Sequence, residues 1–283
     1  MNKLQNFIAS ENGTLLTLIS SFKKDLSHKT IKNLIKNRMV KVNDKVITNH
    51  NYLVNNLDKI ELSYTKKVIP DYKLEILYED KYLIIVEKPA NLLTIATINE
   101  KENTMYHKIL LYLKKKNQKV FIVHRLDKDT SGLLIFAKNE KIKKYFQDNF
   151  DKVTRKYMAI VEGILEKKQD TIKSYLKETK TNLVYVSNDK TGKLAITNYK
   201  VILEKNNYSL LDILIKTGRK NQIRVQLNSI GHSIVGDKKY FKTRKKANRL
   251  YLHAYYLEFI HPVTKQVIKI ELDVPKEFLD LLK

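Results

Sequence analysis

The chain of 283 residues contains no cysteine, and its acidic residues are few beside its basic ones. The absence of cysteine excludes disulfide bonds, thiolate catalysis and cysteine-ligated zinc. No run of about 18 apolar residues is present, so the sequence predicts no membrane span. The N-terminus lacks the charged-then-apolar pattern of a secretory leader, and the protein is therefore expected in the cytoplasm.

Positive charge dominates the composition, with 54 Lys and Arg against 30 Asp and Glu and a net charge of +24. A field of this sign attracts a polyanion, and its spread along the chain favours nucleic acid over a membrane helix. A general drift towards lysine would raise the charge in the same way. The arginines are more informative, because lysine cannot replace their planar fork. Four of them fall in the segments described next: Arg125, Arg155, Arg219 and Arg224.

The segment 121–138 places a polar loop between two apolar runs. Residues 121–123 and 133–137 are bulky or β-branched, which predicts two short buried strands. Between them lie Asp, Thr, Ser and Gly, the residues of turns. A loop held by sheet at both ends is a usual place for chemistry. The alternative is a solvated loop in which Asp127 and Asp129 only cap turns.

The loop resembles the signature of the RluA family of RNA pseudouridine synthases, His-Arg-Leu-Asp-x-x-Thr-Ser-Gly-Leu-Leu, and matches every fixed position from His124 to Leu134. The resemblance implies that Asp127 is the catalytic carboxylate and that the chain isomerises uridine to pseudouridine within RNA. This reaction breaks the bond from N1 of uracil to C1′ of ribose and rejoins the base through C5. It transfers no electron or phosphate, so no cofactor is expected. A carboxylate suits it by acting at the sugar, as in glycosidases.

Two later segments resemble further motifs of the family. Residues 154–163 resemble Lys-x-Tyr-x-Ala-x-Val-x-Gly, and the resemblance places the active-site tyrosine at Tyr157. Residues 214–224 resemble Leu-x-Thr-Gly-Arg-x-His-Gln-Ile-Arg, and Asn221 stands where His is more usual. Either residue can cap the helix that follows.

The resemblance implies further roles in a cleft beside the loop, where the uridine must leave its stack at a cost of a few kcal/mol. Tyr157 could stack on the base or move a proton at C5. Arg224 could pair with Asp127. Arg125 could fill the space left by the base or hold a flanking phosphate, and Arg219 lies at a helix start that suits anions.

The segment 83–91 resembles the family motif Val-x-x-Lys-Pro-Ala-Gly-Leu, with Asn91 in place of Gly. Asparagine tolerates the left-handed conformation better than most residues, so the turn should survive. For Lys88 the sequence leaves a structural role and an RNA-contacting role open.

The N-terminal part predicts a small module. A basic helix near 27–39 precedes a hairpin across Asn43 and Asp44 and a closing strand at 57–62. This order resembles the RNA-binding domain of the ribosomal-protein-S-four type, over residues 14–64, and implies RNA contacts by Lys32, Lys36 and Arg38. The alternative is an ordinary solvated lysine face. Residues 1–12 are polar and expected to be loosely held.

These observations predict an α+β protein. A small N-terminal α/β RNA-binding module at 14–64 precedes a catalytic domain at 72–283 on a mixed, mostly antiparallel sheet. The expected partner is RNA, most of all large-subunit ribosomal RNA, with no membrane, no metal and a monomeric chain.

The sequence leaves two other functions open. One is a non-catalytic RNA-binding ribosome-assembly factor. The other is a metal-dependent hydrolase or nuclease with His124, Asp127 and Asp129 as ligands.

Overall fold

The computed structural model describes residues 4–37, 39–63, 73–97, 100, 103–241 and 247–283. The chain forms two compact units, Met1–Asp71 and Tyr72–Lys283. Within the described ranges, no helix has both the length and the apolar character needed to cross a membrane.

The first unit combines helices with short strands. Its described elements are β1 (Leu4–Ile8), β2 (Gly13–Thr14), α1 (Leu15–Phe22), α2 (His28–Lys36), β3 (Val40–Val42), β4 (Lys45–Val46), β5 (Leu53–Val54) and β6 (Lys59–Ser63). Strands β1, β6, β3 and β4 form an antiparallel sheet in that order. Ile31 and Ile35 of α2 are fully buried against it, as helical spacing predicts. Asn43 and Asp44 adopt φ of 46° and 65°, which a two-residue hairpin turn requires.

Residues 4–8 differ from the expectation of a loosely held N-terminus. They form β1, which pairs with β6 along its whole length. Phe7 stacks on Phe22 of α1 with ring centroids 4.0 Å apart. The pairing with β6 and this aromatic contact together outweigh the entropy of ordering the segment.

The second unit is built on one large sheet. Its described elements are β7 (Glu75–Glu79), β8 (Leu83–Lys88), α3 (Met105–Lys114), β9 (Phe121–Ile122), β10 (Ser131–Ala137), α4 (Glu140–Asn149), β11 (Thr154–Glu162), β12 (Gln169–Glu178), β13 (Val184–Ser187), β14 (Lys193–Lys205), β15 (Tyr208–Ile215), α5 (Gln222–Ser229), β16 (Leu252–Ile260), β17 (Val267–Glu271) and α6 (Lys276–Leu281). The main strand order is β13-β12-β14-β15-β11-β16-β10-β8-β7, with β17 beside β16 and β9 beside β10. Among the described strands β10 and β16 run parallel, and the other pairs of this sheet are antiparallel. The predicted α+β fold with a mixed, mostly antiparallel sheet is therefore confirmed.

Both faces of the sheet are covered at β8, as the alternation of its side chains shows. Ile84 and Val86 pack in one hydrophobic cluster with residues of α3, α5 and α6. Leu83 and Ile85 point the other way, into a second cluster with Ile142 of α4. The sheet is thus a rigid layer, and the loops at its edge are held on a fixed base.

Gly132 permits the close approach of β10 to β16. Its φ is +113°, and a Cβ at this position would lie 2.1 Å from the carbonyl oxygen of Ala254. No other residue type could occupy this site without moving β16. The glycine comes directly after the polar loop, so it helps to set where that loop leaves the sheet.

Candidate active site

A cavity of about 830 Å³ opens in the second unit where three segments meet: the loop 123–130, the turn after α4, and the stretch from β15 into α5. Its basic lining residues are Arg125, Lys143, Arg155, Lys216, Arg219, Lys220 and Arg224, and its acidic ones are Asp127 and Asp151. The excess of basic side chains makes the cavity a positively charged pocket around a carboxylate.

Lys88 supports the loop from the interior of the sheet. It is fully buried. Its ammonium donates to three backbone carbonyls at 2.8 to 3.1 Å, those of Pro89, Leu92 and Lys128. Burial lowers the pKa of Lys88 to about 7, and the charges of Asp129 and Asp127 oppose that decrease. Of the two roles left open, the structure favours the structural one. Asn91, in the same turn, adopts the left-handed conformation expected of it, with φ 64°.

His124 also fixes the loop. Its Nε2 accepts a hydrogen bond of 3.0 Å from the backbone N–H of Ile135. Burial, with the charge of Arg155, lowers the pKa of His124 to about 3, so the ring is neutral at physiological pH. The metal alternative required His124, Asp127 and Asp129 to converge. In the described part of the chain, no three His, Asp or Glu side chains are grouped so as to hold an ion.

Asp127 stands on the cavity wall with 32% of its side chain exposed. Its Oδ2 accepts from Nδ2 of Asn221 at 2.5 Å and from Nη1 of Arg224 at 3.4 Å. The structure thus brings together Asp127 and Arg224, the pair expected from the sequence, and adds a partner that was not expected.

The stronger partner of Arg224 is Asp237. Nε of Arg224 donates to Oδ2 at 2.8 Å and Nη2 donates to Oδ1 at 2.6 Å, and both side chains are almost fully buried. Burial lowers the pKa of Arg224. The hydrogen bond and the charge of Asp237 outweigh this effect, the charge of Asp127 adds to them, and the pKa of Arg224 is raised above its usual value. This bidentate pair fixes the guanidinium and leaves Nη1 for Asp127.

Asn221 does not cap α5 with its side chain, so that expectation was wrong. The residue sits at the N-cap with a left-handed φ of 52° and makes no side-chain cap bond. Instead its Oδ1 accepts from Nζ of Lys239 at 3.0 Å and from the hydroxyl of Tyr240 at 2.8 Å. Two donors on the amide oxygen leave the NH₂ group facing Asp127. Local propensity gave no signal for this contact, because it depends on residues 94 positions apart.

Tyr157 lies in β11 and lines the same cavity, with 9% of its surface exposed. Burial raises the pKa of Tyr157 above its usual value; the charge of Arg155 opposes this increase and the charge of Asp127 adds to it. The phenol is therefore neutral at physiological pH, and it lies within the electrostatic reach of Asp127.

The residues predicted to contact RNA fall in both units. Arg125 and Arg219 are exposed on the wall of the cavity. Lys32 and Lys36 lie in the first unit beside a concave surface that encloses a volume of about 640 Å³. The lining of that surface is His28, Lys29, Lys32, Asn33, Lys36, Thr48 and His50. Arg38 lies outside the described residues.

Comparison with solved structures defines the class of this fold. The human protein RNA Pseudouridylate Synthase Domain Containing 1 is similar with a TM-score of 0.61 and 24% identity, over 75% of this chain and 86% of that one. Human RNA Pseudouridylate Synthase Domain Containing 4 gives the same TM-score at 21% identity, over 72% and 90% of the two chains. The fold is therefore that of a pseudouridylate synthase.

Residues 82–229, more than half of the chain, match the family described as RNA pseudouridylate synthase, and the chain belongs to this family. "Uncharacterized RNA pseudouridine synthase YhcT" of Bacillus subtilis is 33% identical over 91% of this chain and 88% of its own length. "Ribosomal large subunit pseudouridine synthase C" of Rickettsia prowazekii is 34% identical over 86% and 83%. "Ribosomal large subunit pseudouridine synthase D" of Zymomonas mobilis is 33% identical over 75% and 73%. The chain is thus an isomerase that acts on uridine in RNA, as its signature implied.

Proposed function

We propose that this enzyme isomerises uridine in large-subunit ribosomal RNA, with Asp127 as the catalytic carboxylate. Support for the choice of RNA comes from relatives whose names include the large ribosomal subunit, two of which are at least 33% identical. Support for the residue is one observation: Asp127 is the acceptor on which Asn221 and Arg224 converge in a positively charged cavity. The monomeric state expected from the sequence is part of this proposal.

The geometry fits a reaction at the sugar. A carboxylate held by two donors on one oxygen keeps the other oxygen for the substrate. That oxygen could attack C1′ of the ribose or remove a sugar proton, and either step breaks the bond to N1 of uracil. The base then turns over and rejoins through C5. Arg224 and Asn221 keep the carboxylate in one orientation throughout, which is the advantage of a preorganised site.

Tyr157 is proposed to act on the flipped base. Its raised pKa keeps the phenol protonated, so it can stack on uracil or donate a hydrogen bond, but it does not start as a phenolate base. Arg125 and Arg219 are proposed to hold the RNA at the cavity mouth, where both are exposed. The proton on C5 must leave at the end of the reaction, and Tyr157 is a buried hydroxyl lining the cavity that could pass it on.

The first unit is proposed to be an RNA-binding domain of the ribosomal-protein-S-four type, covering residues 14–64. Support comes from the basic face of α2, where Lys29, Lys32 and Lys36 adjoin one concave surface. No acidic side chain lines that surface among the described residues. Such a surface suits the phosphate backbone and adds affinity without taking part in the reaction.

The test of the catalytic assignment is Asp127→Asn, which keeps the shape of the side chain and removes its charge. RNA binding should persist while pseudouridine formation is lost. Asp129→Asn is the matched control, because Asp129 lies in the same loop and does not line the cavity. Sequencing of modified sites in ribosomal RNA from a deletion strain identifies the target. A tenth of the wild-type turnover in Asp127→Asn would refute the assignment.

A further inference from the structure

Arg155 is a buried cation that the proposed mechanism does not use. It lines the cavity from β11 and keeps only 7% of its accessible surface. Its Nε donates to the backbone carbonyl of Val153 at 3.3 Å. In the described part of the chain it forms no ion pair with a carboxylate, and its Nη atoms have no hydrogen-bond acceptor within range. A charge that is removed from water is normally paired, so this arrangement calls for an external partner.

The surroundings of Arg155 hold the guanidinium in place without neutralising it. Its Cζ lies 4.7 Å from the ring centroid of Phe150. On another side is Gly218, where a Cβ would lie 2.9 Å from Nη1 of Arg155. Gly218 does not have a left-handed φ, so close approach of the guanidinium is what the glycine permits. The guanidinium of Arg155 is thus packed between the ring of Phe150 and the backbone of Gly218, and its unpaired Nη atoms lie at the cavity.

The electrostatics of Arg155 favour an anion as its partner. Burial lowers the pKa of Arg155, and Tyr157 and Asp151 only partly oppose that decrease. Asp151 is exposed and forms no ion pair with it among the described contacts. A neutral carbonyl of a base would not compensate a buried positive charge. A phosphodiester carries a full negative charge and two free oxygens, which match the guanidinium fork.

We propose that Arg155 binds the phosphate of an RNA linkage next to the reacting uridine, and that Gly218 exists to leave room for its guanidinium. This subsite rests on the proposed function, because it needs RNA in the cavity. It is a binding contact and takes no part in bond breaking. It would fix the backbone at one point while the base turns over beside Tyr157.

The first test uses nonauridylate, an RNA of nine uridines, with the full chain and with Arg155→Gln. Each phosphate contact on single-stranded RNA adds about 0.7 to the slope of log K against log salt. Arg155→Gln should bind about tenfold or more weakly, since a hydrogen bond to a charged group is lost, and its slope should fall by about 0.7. Arg155→Lys should keep the slope and recover only part of the affinity. Equal slopes for the wild type and Arg155→Gln would overturn the proposal.

Gly218→Ala is the second variant, and it retains the charge. Its methyl group would meet two atoms of Arg155 and nothing else within 4 Å, so the fold should be kept. It should weaken nonauridylate binding while the melting temperature stays unchanged. The melting temperature of Arg155→Gln should also not fall, because that variant removes an unpaired buried charge. Normal binding by Gly218→Ala, or a large loss of stability in Arg155→Gln, would show Arg155 to be structural.

The third test locates the phosphate. Once sequencing has identified the modified uridine, short RNAs are made with a single neutral methylphosphonate linkage at each position around it. The wild type and Arg155→Gln should bind one of these RNAs equally well, because the contact is already absent. The subsite would be refuted if the ratio of wild-type to Arg155→Gln affinity were the same wherever the neutral linkage is placed. If no uridine is modified at all, the proposed function fails, and the nonauridylate test still decides on Arg155.

Discussion

The amide of Asn221 donates to Oδ2 of Asp127 at 2.5 Å, closer than the guanidinium of Arg224 at 3.4 Å. The amide cannot turn round, because its oxygen already accepts from Lys239 and Tyr240. Asn221 therefore acts as a positioning residue for the carboxylate. The position is occupied by His in the resembling family motif, and an imidazole N–H could make the same donation.

Substitution of Asn221 tests this positioning. Asn221→Ala should reduce single-turnover modification about 10- to 100-fold, because a hydrogen bond to a charged group is worth about 1.5–3 kcal/mol. Asn221→His should keep most of the activity, and its left-handed backbone is one that His tolerates. Asn221→Asp should be the worst of the three, because it puts a second carboxylate against Asp127. Equal rates for the Ala and His variants would contradict the assignment.

Arg224→Ala should damage the fold as well as the reaction. It leaves the buried carboxylate of Asp237 without a partner, which should cost about 3–5 kcal/mol of unfolding free energy. Urea unfolding measures this loss.

A double variant separates the two effects. Arg224→Met with Asp237→Asn removes both charges and keeps an oxygen for the backbone N–H groups of Lys239 and Tyr240, so most of the stability should return. Pseudouridine formation should stay absent, because Asp127 still lacks its guanidinium. Activity in the stable double variant would show that Arg224 has only a structural role.

The first unit should supply affinity and no chemistry. Lys32→Gln with Lys36→Gln should weaken RNA binding and lower the salt slope by about 1.4 for two phosphate contacts on a single strand. Lys24→Gln with Lys45→Gln is the matched control, because it makes the same charge change at exposed positions outside the concave surface. The single-turnover rate at saturating enzyme should be unchanged in both. Identical slopes for the two double variants would show that α2 does not contact RNA.

His253 should make the fold sensitive to acid. It is 1% exposed, and its Nδ1 lies 2.7 Å from Oγ of Ser131. Burial, together with the charge of Arg249, lowers the pKa of His253 to about 4, while an unfolded histidine titrates near about 6.5. Between these values only the unfolded chain takes up the proton. The unfolding free energy should therefore fall as pH drops below about 6.5.

The size of this decrease in unfolding free energy depends on the difference between the folded and unfolded pKa values of His253. At pH 5 the part of the loss that is due to His253 should reach about 2 kcal/mol, and the buried His124 adds a loss of its own. His253→Gln should show a flatter dependence, whatever its stability at pH 7. Urea unfolding at pH 7 and pH 5 compares the two slopes, and parallel slopes would mean that His253 is not the group responsible.

The sequence located some parts of the site and missed others for a physical reason. Asp127, Tyr157 and Arg224 stand in continuous motifs, so the residue type and its neighbours were enough to predict that they share one cavity. Asn221 was taken for a helix cap because capping is a local property, whereas its actual contact crosses to the loop of Asp127.

Contacts between residues far apart in the sequence explain two further features that were not predicted. The fork of Asp237 with Arg224 could not be predicted from the sequence, because it forms only when the segment after α5 folds back. In the same way, β1 was missed because its pairing is with β6, more than 50 residues later. Periodicity predicts elements well and predicts their partners poorly.

The parallel pair of β10 with β16 has a consequence for the timing of activity. Gly132 and Ala254 meet there, 122 residues apart, and Ser131 reaches His253 across the same junction. During synthesis, the loop of Asp127 emerges long before the strand that supports it. Contacts of this sequence separation form late in folding. We expect nascent chains ending before residue 252 to bind RNA through the first unit and to modify none, which ribosome-bound chains of graded length would reveal.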